Sequence, residues 1–386
     1  MKAVFVAAIA IFILFLGLLF SCKGEKTNEQ DICTLTSTGN IKSFELDSDV
    51  KYNAFYLYTF RDCEDQEYLS FLNYQTNQIL FYDLKTSKFL FKIELASGGP
   101  HGVVRPSGYY IKDFDNIFVS SYAYEGLIKV DTLGHIVQKI PYGETAEGYR
   151  VLPSYTPSSH PYIAPIFVDG KMFITQQGVE RFHPIEKTPL SVTIDTVSKV
   201  ISGTPLTYDI LDDDEQGTED LRFSRIYDGR QFVYSFYVNE DIVVTPINHI
   251  DYKVVKVKSR FINSATEVQK KGEQGPRSNL EVARYGDIVY DPYREVYYRF
   301  AYHYSELDSK KNWRGNAVFG RKKFSVIILN KDFEIIGETL FPEAVYNSYV
   351  FFVHKEGLYI SRDYQINYDQ SEDYMTFELF SLESKV

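Results

Sequence analysis

Methionine, tryptophan and cysteine are nearly missing from this chain of 386 residues, which has three, one and three of them. Three cysteines leave room for one disulfide at most, so cross-linking is not the framework of the fold. A basic surplus is missing as well. The formal net charge is −11, which excludes a nucleic-acid binder, whose phosphate contacts need a basic surface. It also excludes adhesion to anionic lipid by charge alone; the acidic balance reads as solubility. No helical period stands out beyond the first 20 residues, although 264–280 has room for one helical turn in a long loop. No Gly-x-Ser-x-Gly marks a nucleophile on a strand-to-helix turn. The chain states an architecture and an address more clearly than an activity.

What is abundant is aromatic: 32 tyrosines and 29 phenylalanines. Such residues favour strands and pack across pleated faces, so the chain reads as all-β. Between Tyr68 and Ile140 it says the same thing twice. Leu69 and Ile117, and likewise Asp83 and Asp131, are 48 residues apart and occupy matching places in two runs of three short strands. That period is the spacing of a propeller blade. A second marker recurs along the whole chain: an apolar strand, a turn rich in Asp, Gly, Asn or Pro, and a fresh apolar strand. Its second strands start near 68, 117, 172, 232, 296 and 358. Asp-Gly and Asp-Asn turns are hairpin chemistry, because these residues tolerate positive φ.

Each marker predicts the hairpin between the first and second strands of a blade. The inner strands, lining the axis, are then expected at 54–60, 107–112, 164–168, 221–227, 285–290 and 348–354. The last blade runs out of chain after 375–380, while Ser43–Leu46 has no blade of its own. The economical solution is a six-bladed β-propeller over 41–386, its last blade completed by the N-terminal strand. Seven blades, the extra one around 242–262, is the alternative.

The N-terminus carries the address. Met1-Lys2 precedes an uncharged apolar run, Ala3–Phe20, which ends in Leu19-Phe20-Ser21-Cys22. This reads as a secretory signal over 1–21. A plain transmembrane anchor is the alternative, at the lower limit of length for spanning a bilayer. Residues 22–40 are polar and read as a flexible tether. In an exported chain Cys33 and Cys63 either form a structural disulfide or remain two buried thiols.

The last four residues of the apolar run resemble the lipobox of bacterial lipoproteins. By that resemblance cleavage exposes Cys22 for lipidation, and Lys23 after it fits outer-membrane sorting, with the periplasmic or surface face open. The repeats resemble six-bladed propellers related to NHL repeats, on Ser97–Gly102, Tyr109–Val119 and Leu127–Gly134, with 271–276 echoing the first loop. Joined to a lipobox, this is similar to a group of exported Bacteroidota lipoproteins classed as a domain of unknown function. The resemblance covers roughly 40–386 and implies a binding platform more than an enzyme.

Propeller ligands sit at the tunnel mouth, where loops between blades converge. The loops entering the inner strands supply His101, Arg105, His160, Tyr162, Arg222, Arg225, Arg277 and Arg284. Guanidinium groups chelate carboxylates and phosphates, so the set suggests an anion-accepting mouth. Pairing with acids such as Glu219 or Glu273 is the plainer role for any one arginine. Trp313, in a basic glycine-containing loop, is placed to stack on a sugar or peptide. His101 and His160 lack metal-ligand spacing in their flanks, and from Asp212 the twelfth position of an EF-hand template is Phe223 rather than Glu. No metal and no cofactor are expected. The expected partners are the membrane, through lipid on Cys22, and a peptide, glycan or protein ligand bound by a monomer. The alternative is a periplasmic hydrolase or lyase working at the same mouth.

Overall fold

A single side-chain device shapes most of the hairpins. Asp62 Oδ1 accepts the backbone N–H groups of Glu64 and Gln66, both at 2.9 Å. Asp113 does the same for Asp115 at 3.0 Å, Asp228 for Arg230 and Gln231 at 2.8 and 2.9 Å, and Asp291 for Tyr293 and Arg294 at 2.9 and 3.1 Å. An aspartate that binds its own backbone two residues on closes the turn before any tertiary contact exists. In the third hairpin Asp169 and Gly170 take positive φ instead, at 50° and 75°. The acidic marker in the sequence is therefore the turn chemistry itself.

The computed structural model describes residues 32–46, 57–73, 75–99, 102–151, 164–178, 184–195, 197–211, 221–262, 281–306, 320–364 and 373–384. They form six four-stranded antiparallel sheets, five of them in simple chain order and the sixth completed by the first strand of the chain, arranged as a six-bladed β-propeller. The inner strands are Leu57–Arg61, Pro106–Asp113, Ile166–Val168, Phe223–Tyr227, Arg284–Asp291 and Asn347–His354. Each lies within a few residues of its expected range. Asp241–Pro246 and Lys253–Lys256 are the third and outer strands of blade 4, so no seventh blade stands at 242–262. The wider spacing late in the chain comes from long connections such as 257–283 and 303–323. The expected helical turn at 264–280 lies outside the described residues.

The ring closes as expected, with more strand than expected. Cys33–Glu45 is the outer strand of blade 6 and pairs antiparallel with Tyr374–Ser384, across an irregularity between Ser37 and Ile41. The boundary between tether and propeller at 40 is corrected to 33. Thr34 and Thr36 are β-branched strand formers, and Leu35 is buried in the cluster shared with blade 5, its N–H donating to Thr339 Oγ1 at 2.8 Å. On the other side Phe44 is fully buried and meets Tyr82 and Phe377 edge-on at 5.6 and 5.9 Å. The closing strand is thus wedged between the first and fifth blades. This also corrects the expected disulfide: Cys33 and Cys63 are both free. Cys33 is buried in the outer strand of blade 6, while Cys63 is exposed in the inner hairpin of blade 1.

Two faces follow from strand direction. All six inner strands begin on one face, the mouth. Their hairpin turns lie on the other, the underside.

Candidate functional site

Of the arginines expected at the mouth, Arg222 and Arg284 are brought together. Arg222 precedes the inner strand of blade 4 and Arg284 opens that of blade 5. Their guanidinium groups lie over one ring, Tyr237, at 5.7 and 6.0 Å from its centroid. Tyr237 sits just past the second strand of blade 4 and donates its hydroxyl to Asp287 Oδ1 at 3.1 Å. Arg222 is pushed down to about 10, first by burial and then by the charge of Arg284. At about 10 Arg222 stays protonated at neutral pH, close enough to Arg284 to feel its charge.

A third guanidinium joins them that the sequence did not single out. Arg321 follows Gly320, which takes φ of 75°, and is fixed by its backbone N–H on Ser348 Oγ at 2.8 Å. Its side chain donates to the carbonyls of Val282 and His303 and lies 5.6 Å from the Tyr302 ring. Burial first, with Arg284 also lowering it, holds Arg321 at about 10. Tyr302 packs edge-on against Tyr349 at 5.6 Å, and burial raises its hydroxyl well above the ordinary value. The mouth over blades 4 to 6 is therefore guanidinium set on tyrosine, with Asp287 beside it. Arg321 stands in a run, Gly320-Arg321-Lys322-Lys323, that looks like any basic loop. Nothing local marks it.

Arg225 belongs elsewhere. It is 0% exposed and hydrogen-bonds blade 3: Ser191 Oγ at 2.7 Å and the carbonyls of Ala164 and Phe173 at 2.9 and 3.2 Å. It rivets one blade to the next and does not reach the mouth. The reason is strand geometry. Its position in Phe223–Tyr227 faces the neighbouring sheet, which supplies these acceptors. Arg105 is exposed on the loop into blade 2, at φ 49°, with its guanidinium 5.5 Å from the Tyr122 ring. His101, His160, Tyr162, Arg277 and Trp313, the lipidation site Cys22 and the loop at Asp212 all lie outside the described residues.

Two buried relays deserve separation from catalysis. Ser191 Oγ and Tyr234 Oη are 2.8 Å apart, and Tyr234 Oη is 2.7 Å from His249 Nε2. His249 Nδ1 lies 3.0 Å from the Ile247 carbonyl, so it carries the proton and Nε2 accepts from the tyrosine. Burial pushes this imidazole down to about 4. The chain from Arg225 to His249 is thus a neutral-histidine clamp inside the interface between blades 3 and 4. In blade 5, His303 Nε2 is 2.9 Å from Ser325 Oγ, but that hydroxyl donates to Glu338 Oε1 at 2.6 Å and Ser325 is 0% exposed. A hydroxyl committed to a carboxylate and sealed from solvent is no nucleophile. Among the described residues no group of three or more His, Cys, Asp or Glu is placed to hold a metal.

Comparison with known proteins agrees with this frame. A crystal structure of a DUF4221 family member from Bacteroides vulgatus superposes with a TM-score of 0.79 at 26% identity, covering 92% of this chain and 100% of that one. A protein from Bacteroides fragilis named as exported shares the fold at a TM-score of 0.53 and 10% identity, over 93% of this chain and 98% of its own. Among the described residues no helix is long and apolar enough to cross a membrane. No curated protein matches the chain. The family described as a domain of unknown function, DUF4221, matches residues 34–340, and the chain belongs to it.

Proposed function

We propose that this propeller is a lipid-anchored module of the cell envelope that binds an anionic group of a peptide, glycan or partner protein at the mouth over blades 4 to 6. One observation carries the reading: Arg222, Arg284 and Arg321 converge there on Tyr237 and Tyr302, and the charge of Arg284 acts on both of the others. Adjacent cations, with Arg222 half-buried and Arg284 and Arg321 buried behind it, gain from a carboxylate or phosphate that relieves their repulsion, and guanidinium meets either anion through two parallel hydrogen bonds. Of the two rings, half-buried Tyr237 offers stacking area for a sugar ring or a peptide side chain, while Tyr302 is buried. The hydrolase or lyase reading lacks such support among the described residues, where the serine of the pair Ser325 and His303 is buried and bound to Glu338.

The test is an array of acidic oligosaccharides and acidic peptides, each beside its neutral counterpart, probed with the chain from residue 32 onward. Binding to acidic members that weakens with salt and vanishes in the Arg222→Glu, Arg284→Glu double variant is expected. Equal binding to neutral members, or binding unchanged in the double variant, removes the proposal.

A further inference from the structure

The closing strand records which face of the propeller the chain enters by. Ile32 donates its N–H to the Ile336 carbonyl at 2.9 Å, and Ile336 stands just past the underside turn of blade 5. In that turn Asn330 Oδ1 caps Asp332 and Glu334, both at 2.9 Å. The register across blade 6 agrees. Cys33 pairs with Ser384, and Ser384 lies four residues beyond Phe380, whose partner Leu358 sits beside the underside turn. Two separate pairings put the first described residues on the underside, opposite the arginine mouth.

From this we infer that the propeller rides with its underside toward the bilayer and presents the arginine–tyrosine mouth to the aqueous space. The inference rests on the anchor at Cys22 proposed above. Only ten Cα-to-Cα steps separate Cys22 from Ile32. A ten-residue chain spans about 35 Å fully extended and roughly 17 Å as a random coil. The blades are about 26 Å deep, taking eight residues of inner strand at the usual rise per residue. To turn the mouth onto the membrane, the connection must run up the whole side of the disc, close to its contour limit. With the underside down, it is slack. Chain entropy therefore disfavours the mouth-down orientation without any specific lipid contact. The ligand is then met from solution or from a facing molecule, and lipid headgroups of the same membrane are kept from the mouth.

The experiment uses the full chain, processed by a lipoprotein-exporting host and reconstituted into vesicles that contain a nitroxide-bearing lipid. A fluorophore is placed on Cys63, exposed in the underside hairpin of blade 1, or on Tyr122→Cys in a Cys63→Ser background, a position 67% exposed on the mouth side. The expected result is loss of fluorescence at Cys63 with little loss at residue 122. Equal loss at both sites, or greater loss at 122, overturns the orientation. A full chain that stays off the vesicles, as Cys22→Ser should, overturns the anchor and the orientation together. Anion uptake by the chain from residue 32 is read separately, so failure of the mouth is distinguishable from either.

Discussion

Replacing Arg299 by methionine tests whether the blades are held together by buried guanidinium groups. Arg299 stands on the second strand of blade 5, is 0% exposed, and spends every nitrogen on blade 4. Its Nε donates to Ser235 Oγ at 2.9 Å. Its Nη1 reaches the carbonyls of Glu240 and Val257 at 2.5 and 2.8 Å, and its Nη2 those of Phe236, Asn239 and Asp241 at 3.3, 2.7 and 3.2 Å. The guanidinium also lies 3.9 Å from the centre of the Tyr285 ring. Two effects oppose each other. Burial pushes Arg299 down to about 10, so removing the charge recovers roughly 3 kcal/mol of desolvation. Against that, five carbonyls and a hydroxyl lose their charged donor, at about 1–3 kcal/mol for each that stays buried and unsatisfied. The carbonyls win, because methionine fills the volume and donates nothing. The net cost is about 3–5 kcal/mol. For a chain of this size, an unfolding entropy near 2 cal/mol/K per residue makes that a fall in Tm of about 5 °C. Scanning calorimetry at pH 7 reads it, with Arg105→Met on the exposed loop as the control expected to stay within about 1 °C. An Arg299→Met midpoint equal to the control would refute the argument that these guanidinium groups join the blades.

Other consequences follow from the same contacts. His249 is held near 4 in the folded chain against 6.5 unfolded, so the unfolded state binds the extra proton and stability falls as pH drops from 6.5 toward 4. Denaturant melts at pH 7 and 4.5 should differ by about 2–3 kcal/mol more in the native chain than in His249→Gln; equal slopes would contradict the clamp. Phe44→Ala empties the seam between blades 6 and 1 and should cost about 3–5 kcal/mol by chemical unfolding; a loss under about 1 kcal/mol would mean the closing strand is not wedged there. A Cβ on Gly337 would stand 2.1 Å from the Cys33 carbonyl oxygen, so Gly337→Val should push the closing strand outward and expose the Cys33 thiol to a maleimide that the native chain resists. Unchanged labelling speaks against that contact.

Much of the fold was legible because its grammar is local. Asp62, Asp113, Asp228 and Asp291 close their turns with their own carboxylates, so the hairpins, the inner strands and the count of blades can be read residue by residue. The closing strand was legible from a deficit, a last blade short of one strand. Its true start at Cys33 was hidden, since Thr34 to Asn40 look polar until Thr339 and the strand Tyr374–Ser384 are set beside them. The site was half legible. Arg222 and Arg225 are three residues apart in one segment, and nothing in the segment says that one meets solvent over Tyr237 while the other is sealed against blade 3.

By itself, then, the sequence determined an all-β ring of six wedges and which end of the wedges bears the acidic turns. Turn chemistry and apolar alternation act over a handful of residues, so they are written where they operate. Only the tertiary structure decided which guanidinium groups rivet blades and which gather at the mouth, because that depends on carbonyls and rings contributed by other blades. A buried arginine and an exposed one are the same letter until the neighbouring sheet arrives with, or without, acceptors for it.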